Sequence, residues 1–270
     1  MFIRTAMILL NYLRAAISII ALSRISYVLC YYYKMRELTT VLCLTITVLF
    51  GSARLSQGAD FQKGLTAAQS GDFATALSEW TPLAEQGRAS AQFNLGQLYR
   101  RGQGVPQDYT TAVRWFTLAA EQSHAKAQYN LGLRYWRGQG VPQDDKAAVK
   151  WFTLAAKQGE ARAQYNLGVT YEKGKGIPRN YKTAVKWYRL AAEQGYADAQ
   201  YNLGLMYGYG EGVALDFAYA YMWWDIAESS GKHKKASENR EIAAKKMSPS
   251  QIKKAQGLVR ACIRKKYKGC

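Results

Sequence analysis

The chain is poor in the side chains that usually carry catalysis or bind metal. Its 270 residues include 2 histidines and 4 cysteines. His124 and His233 are far apart in the sequence, and neither has a metal-ligand spacing with a cysteine or with the other histidine. No serine, histidine and aspartate set is indicated. The sequence therefore predicts no metal site and no nucleophilic triad.

Phosphate-binding and acid–base motifs are also missing. Gly102-Gln103-Gly104 lacks the preceding strand and the following Gly-Lys-Ser of a phosphate-binding loop. The paired carboxylates Asp144 and Asp145 fall at a predicted helix start, where their effect on the helix terminus explains them. We therefore expect no catalytic residue, no cofactor and no enzymatic activity.

What the chain has instead is a four-residue segment that returns at a fixed distance. It reads Phe-Asn-Leu-Gly or Tyr-Asn-Leu-Gly, and each copy begins 36 residues after the previous one. The copies begin at Phe93, Tyr129, Tyr165 and Tyr201. A fixed period of this length is typical of a stacked repeat array. One repeat cannot bury its own apolar face, so neighbours must stack, and we expect function on the long surface that they build.

Each unit is predicted to be a helix, a loop and a second helix. Ala91, Leu95 and Tyr99 are spaced to share one face of the first helix. The glycines and the proline of the segment 102–106 end that helix, because glycine adopts left-handed angles and proline disfavours helix in its predecessor. Asp108 then has a side chain suited to cap the second helix. The apolar stripe of that helix comprises Ala112, Trp115, Phe116, Ala119 and Ala120.

A glycine lies inside each predicted first helix, where it costs roughly 0.8–1.0 kcal/mol relative to alanine. The four positions are Gly96, Gly132, Gly168 and Gly204. We expect these glycines to let the paired helix approach closely, opposite its small alanines. A tryptophan of each second helix is expected to supply most of the buried area. These tryptophans are Trp115, Trp151, Trp187 and Trp223.

The array is predicted to cover residues 60–231 as about five helix pairs. Its first unit is weaker, with only a short turn at Gly71-Asp72, as terminal repeats often are. Residues 232–270 are predicted to form a basic pair of capping helices. The second of these starts at Ser248, where serine, proline and glutamine follow the pattern of a helix start. The predicted fold class is all-α, an α/α solenoid with a C-terminal capping helix pair.

The repeated pattern resembles the Sel-one-like repeat family, a longer-looped relative of the tetratricopeptide repeat. The matching pattern is A-x-A-Q-[FY]-N-L-G-x-x-Y-x-x-G-x-G-[VI]-P followed by W-x-x-x-A-A. It covers roughly residues 60–231. The resemblance implies an α/α solenoid, a bacterial exported type of protein, and an adaptor or scaffold role in which the repeats bind another protein.

The N-terminus has the pattern of a leader. A basic start precedes an apolar core at residues 41–50, which has the length found in signal peptides and is too short to span a bilayer. We predict a signal peptide over residues 35–59, with cleavage after Ala53 or Ala59, and export to the periplasm. Residues 1–34 are interpreted as an over-extended start or, alternatively, as a membrane anchor.

The four cysteines divide into two groups. Cys30 and Cys43 precede the predicted cleavage sites, whereas Cys262 and Cys270 remain in the exported chain. An even pair of cysteines in an exported protein suits a disulfide. Gly269 would let the chain turn back to close it. The alternative is two unpaired thiols in a cytosolic protein.

The net charge of +18 is spread unevenly. Residues 60–227 carry 18 basic and 15 acidic residues, whereas residues 228–270 carry 13 basic and 3 acidic ones. This basic tail could contact anionic lipid head groups or acidic polymers. The alternative, which we favour, is a solvated helical face that keeps the end of the array soluble. Nucleic acid is not an expected partner.

The candidate partner-binding residues lie at or near the ends of the predicted first helices. In helical repeats these helices line the concave wall, and the positions that vary between repeats choose the partner. The candidates are Arg100, Arg101, Arg134, Trp136, Arg137, Lys173 and Tyr209. Arginine, tryptophan and tyrosine are the residues that dominate binding hot spots. We predict a groove that favours an acidic or extended peptide, the alternative being solvated helix ends.

The sequence therefore predicts a non-enzymatic interaction scaffold of the cell envelope. One alternative is an envelope hydrolase acting on a cell-wall or β-lactam substrate, an activity assigned to some cysteine-rich relatives of the repeat family. This chain lacks a cysteine pair in every repeat, which weakens that transfer. The other alternative is a membrane-anchored regulator, which requires that the N-terminal apolar segments be retained.

Overall fold

A computed structural model describes residues 59–231 and 234–270, which fall within one compact unit. These residues contain twelve helices and no strand. The predictions for the leader and the segment before it, including Cys30 and Cys43, lie outside the described residues. So do Lys232 and His233, and the side chain of Lys234 is not described either.

The first ten helices form five consecutive pairs, and every helix packs on the next one along the chain. The pairs are α1 (Phe61–Ser70) with α2 (Phe73–Glu85), α3 (Ala89–Arg101) with α4 (Tyr109–Glu121), α5 (Ala125–Arg137) with α6 (Asp145–Lys157), α7 (Ala161–Lys173) with α8 (Tyr181–Ala192), and α9 (Ala197–Tyr209) with α10 (Phe217–Ser229). Two more helices follow, α11 (Lys234–Ala244) and α12 (Pro249–Arg264). The predicted all-α solenoid is confirmed.

The helix ends follow from the turn residues. The first helices α3, α5, α7 and α9 each stop at a glycine in the left-handed conformation, such as Gly102 with φ 67°. The second helices begin at a carboxylate or amide. Asp108 accepts hydrogen bonds from the backbone N–H groups of Thr110 and Thr111, and equivalent caps are formed by Asp144, Asn180 and Asp216. The predicted caps are therefore confirmed.

The glycines inside the first helices face aromatic rings, and the expectation that they lie opposite alanines was wrong. A Cβ atom placed on Gly132 would lie 2.7 Å from the ring of Phe152. The same relation joins Gly96 to Phe116, Gly168 to Tyr188 and Gly204 to Trp224. Real Cβ atoms do not approach this closely, so each glycine makes room for a ring.

The principal buried aromatic residue is also displaced by one position from the prediction. Phe116, Phe152 and Tyr188 are fully buried, whereas the tryptophans that precede them, Trp115, Trp151 and Trp187, are half-buried. Each of these tryptophans packs instead on a cluster formed by the second helix of the preceding pair and the first helix of its own pair. Only Trp223, in the last repeat, is fully buried.

A buried glutamine joins each repeat to the one before it. The side-chain amide of Gln128 donates to the carbonyl oxygen of Ala120 at 3.0 Å, and its oxygen accepts from Gln158 at 2.7 Å. Gln92 and Gln164 form the same pair of bonds with their own neighbours. The amide therefore satisfies a helix-terminal carbonyl that would otherwise be unpaired.

The two C-terminal helices both pack on α10. Helix α12 begins with the predicted capping box, in which Ser248 and Gln251 each bond to the backbone N–H of the other. Its Val259 and Cys262 enter one buried cluster with Met222, Trp223 and Ile226. This arrangement closes the last repeat with a helix that departs from the repeat pattern.

Candidate functional site

The seven predicted partner-binding residues lie in the last turns of α3, α5, α7 and α9, as expected from the loop glycines. They differ in exposure. Arg101, Arg137, Lys173 and Tyr209 are exposed, whereas Arg100 and Trp136 are half-buried. Arg134 is only 2% exposed, so it lies beneath the surface on which it was expected. Tyr209 is 73% exposed.

The structure brings the arginines of the first two full repeats together. Burial lowers the pKa of Arg100, and repulsion from Arg101 and Arg137 lowers it further. The Nε of Arg100 donates to Oε1 of Gln97 at 2.8 Å. Lys173 and Tyr209 belong to later repeats and form no hydrogen bond, ion pair or ring contact with these arginines in the described part of the chain. The candidate site is therefore concentrated at the ends of α3 and α5.

Arg134 is the central charge of this group. Its guanidinium carbon lies 5.2 Å from the centre of the Tyr109 ring, within the range of a cation–π contact. Burial lowers the pKa of Arg134, and the charges of Arg100 and Arg137 lower it further. Tyr109 is the first residue of α4 and was not among the sequence candidates. Its phenol oxygen accepts a hydrogen bond from Gln107 at 3.2 Å.

The third repeat has a different arrangement at the same place. Glu172 accepts a short hydrogen bond from the hydroxyl of Tyr188. Burial, together with this bond, raises the pKa of Tyr188 well above its usual range. The third full repeat therefore has an acidic residue, engaged inside its own repeat, at the position that Arg100 occupies in the first.

The C-terminal tail is exposed along most of its basic residues. The exposed cations are Lys235, Lys245, Lys246, Lys253, Lys254, Arg260, Arg264, Lys265, Lys266 and Lys268. The chain then turns back through Lys266, Tyr267 and Gly269, which all have positive φ. This turn places the sulfur atoms of Cys262 and Cys270 2.11 Å apart. Gly269 takes part in the turn as expected, but the turn starts at Lys266 rather than after Tyr267.

His124 acts as a helix cap. Its Nδ1 accepts a hydrogen bond from the backbone N–H of Ala127 at 3.2 Å, and its ring stacks on Phe93. Burial lowers its pKa. Within residues 59–231 and 234–270, no helix combines the length and the apolar character required to cross a bilayer.

Five stacked helix pairs of similar length and turn chemistry define a helical-repeat protein. The sequence model of the Sel1 repeat matches residues 89–124, 125–160, 161–196 and 197–232, which is more than half of the chain. The chain therefore belongs to the Sel1 repeat family, as the sequence pattern indicated. Proteins of this family generally mediate protein–protein interactions, and the family is generally non-catalytic.

Two solved structures support this assignment. A protective antigen present in uropathogenic Escherichia coli strains, which displays an SLR fold, is 37% identical with a TM-score of 0.73. That match covers 82% of this chain but only 48% of the antigen. A Sel1 repeat protein from Oxalobacter formigenes is 31% identical with a TM-score of 0.60, covering 72% of this chain and 88% of the other. No curated protein matches the chain.

Proposed function

We propose that this chain is a non-enzymatic scaffold that binds an acidic peptide or protein segment at the ends of α3 and α5. The observation that carries the proposal is the group of arginines, Arg100, Arg101, Arg134 and Arg137. In the described part of the chain, none of them forms an ion pair with a carboxylate. Arginines that lack a carboxylate partner, two of them exposed and close in sequence to the half-buried Trp136, have the composition of a binding hot spot.

The neighbouring repeats support the same location. The turns that hold the helices in place are nearly identical between repeats, so they fix the shape of the array. The side chains at the ends of the first helices differ between repeats, so they are the positions free to specify a partner. Arginine is suited to this role because its planar fork binds carboxylates in a bidentate manner.

The proposal is tested by capture of partners on immobilised protein. We expect the triple substitution of Arg101, Trp136 and Arg137 by alanine to abolish recovery of partners that the unaltered protein retains. A control variant carries alanine at Arg114, Leu118 and Lys150, which are exposed on the second helices α4 and α6. This control should retain the partners. Equal recovery by both variants would remove the surface at α3 and α5 from consideration.

We also propose that the protein is exported to the periplasm and that Cys262 and Cys270 are bridged there. The leader pattern supports export, and so does the relative described as a protective antigen, since antibodies reach exported proteins most readily. Intact mass spectrometry of the periplasmic fraction after alkylation should show a chain starting after Ala53 or Ala59 with no alkylated thiol. A chain retaining residues 35–59, or one carrying two alkylated cysteines, would contradict these proposals.

A further inference from the structure

Position 134 is a buried position in every full repeat. Its counterparts at the 36-residue period are Leu98, Thr170 and Met206, which are 3%, 8% and 2% exposed. Arg134, at 2%, is as deeply buried as they are. Three repeats thus fold with an apolar or small polar residue at this point. The packing of the array does not require an arginine there, and burying its charge opposes folding.

No carboxylate in the described part of the chain forms an ion pair with Arg134, and the partner that its guanidinium does have is the side chain of Tyr109. Its Nε is buried and has no hydrogen-bond partner. None of the four ion pairs within residues 59–231 and 234–270 includes Arg100, Arg134 or Arg137. The end of α5 offers partial negative charge from its last carbonyl groups, but a helix terminus compensates only a small part of the cost of a buried ion.

The neighbours of Arg134 increase the need for an anion. Arg100 and Arg137 lie close enough to repel it, and they also repel each other. A buried cation that faces further cations is retained at a cost to stability, and that cost is recovered when an anion binds. The arginines of a single repeat could not form this group, since Arg100 comes from α3 and the other two from α5.

We infer that Arg134, together with Arg100 and Arg137, binds one carboxylate group of an acidic peptide segment. This inference rests on the proposed function and assigns the chemistry of that surface. The Tyr109 ring covers the guanidinium of Arg134 and is itself only half-buried. In this inference the Tyr109 side chain rotates away from Gln107 and from Arg134. The carboxylate then accepts hydrogen bonds from the unpaired Nε–H and from a second N–H of the same guanidinium.

The assignment also fixes the place of the carboxylate along the array. Thr170 and Met206 replace Arg134 in the third and fourth full repeats, and Glu172 replaces Arg100 in the third. These repeats therefore have no equivalent carboxylate-binding site. A bound peptide is held by its acidic side chain at the first two full repeats, and the remainder of the segment is bound by weaker contacts.

The test compares Arg134→Met with Arg114→Met in the full chain. Arg134→Met inserts the side chain that the fourth full repeat already has at this buried position, so the variant should fold. Arg114→Met removes the same charge from an exposed position of α4. The probe is a fluorescein-labelled hexaglutamate peptide, with a labelled hexaglutamine peptide for comparison. Binding is measured by fluorescence anisotropy at two salt concentrations.

We expect Arg134→Met to weaken hexaglutamate binding at least about tenfold, because it removes one partner of a desolvated charge pair. Arg114→Met should weaken it less than about twofold, since an exposed charge acts mainly through the screened field. The urea midpoint of Arg134→Met should equal or exceed that of the unaltered chain. Equal weakening by both variants, or equal binding of hexaglutamate and hexaglutamine by the unaltered chain, would overturn the assignment.

The capture experiment separates this inference from the proposed function. If the triple variant loses its partners while Arg134→Met binds hexaglutamate normally, the proposed partner surface is supported and the inferred carboxylate-binding site is wrong. Conversely, if Arg134→Met no longer binds hexaglutamate while the triple variant still retains every partner, the carboxylate-binding site is supported and the proposed function is wrong. An NMR cross-peak of the Arg134 Nε–H group that shifts during titration with hexaglutamate would directly support the carboxylate-binding site.

Discussion

The second helices α4, α6 and α8 of the first three full repeats differ from α10 of the last repeat in how much of their surface is exposed. The difference is seen at positions that the 36-residue period makes equivalent. Leu118, Leu154 and Leu190 are 43%, 38% and 44% exposed, whereas their counterpart Ile226 is 1% exposed. The cations Arg114, Lys150 and Lys186 are exposed, but Met222 takes their place and is buried. The same helix surface is therefore open in three repeats and covered in the fourth.

Helix α12 is the cause of this difference, because it packs on α10 and contributes Val259 and Cys262 to the cluster around Met222 and Ile226. The turn after α12 extends the cover to the preceding repeat. The ring of Tyr267 would lie 3.4 Å from a Cβ atom on Gly195, in the turn that follows α8. The comparison shows that the last repeat has apolar residues at positions that are polar or exposed in the other repeats, because a helix outside the repeat pattern covers them.

The largest expected effect is that of replacing the covered tryptophan. Trp223→Ala should lower the free energy of unfolding by about 3–5 kcal/mol, because the residue is fully buried between α10, α12 and the preceding repeat. Trp151→Ala should cost about half as much, since Trp151 is only half-buried and contacts a single neighbouring cluster. Urea unfolding followed by far-ultraviolet circular dichroism measures both.

Amide hydrogen exchange provides the control for this pair. Trp223→Ala should expose the amides of α12 first, whereas Trp151→Ala should leave the protection of α12 unchanged, because repeats interact mainly with their neighbours. If both substitutions cost the same and both leave α12 protected, then α12 does not contribute to the burial of the last repeat.

The sequence was sufficient to predict the parts of the fold that depend on local chemistry. The period located four of the five helix pairs. The loop glycines located the ends of the first helices, and the capping residues such as Asp108 located the starts of the second. Ser248 and Gln251 also identified the start of α12. These features are set by backbone angles and nearby hydrogen bonds, which a short stretch of sequence determines.

Features that depend on distant packing were predicted less well. The partner of Gly132 is the ring of Phe152 rather than an alanine, because adjacent positions on a helix differ by a large rotation that sequence spacing alone resolves poorly. Arg134 was expected on the surface, although its alignment with Leu98 and Met206 indicates a buried position. The contribution of Tyr109 follows from the approach of α4 to α5, which no local signal reports.

The comparison between inner and last repeats can also be tested by exchanging their residues. Met222→Lys introduces the inner-repeat residue at the covered position and should cost about 2–3 kcal/mol, because an amine without a partner would be buried beneath α12. Lys186→Met introduces the last-repeat residue at the open position and should change stability by less than about 0.5 kcal/mol.

Urea unfolding and the rate of proteolysis within α12 measure the two variants. Met222→Lys should speed cleavage between residues 249 and 264, because the energy cost is relieved when α12 leaves α10 and the lysine reaches water. Lys186→Met should not change this rate, since no described helix covers that position. A similar small effect of both exchanges would mean that the covered and open surfaces have the same environment in solution, and that α12 is not held on α10.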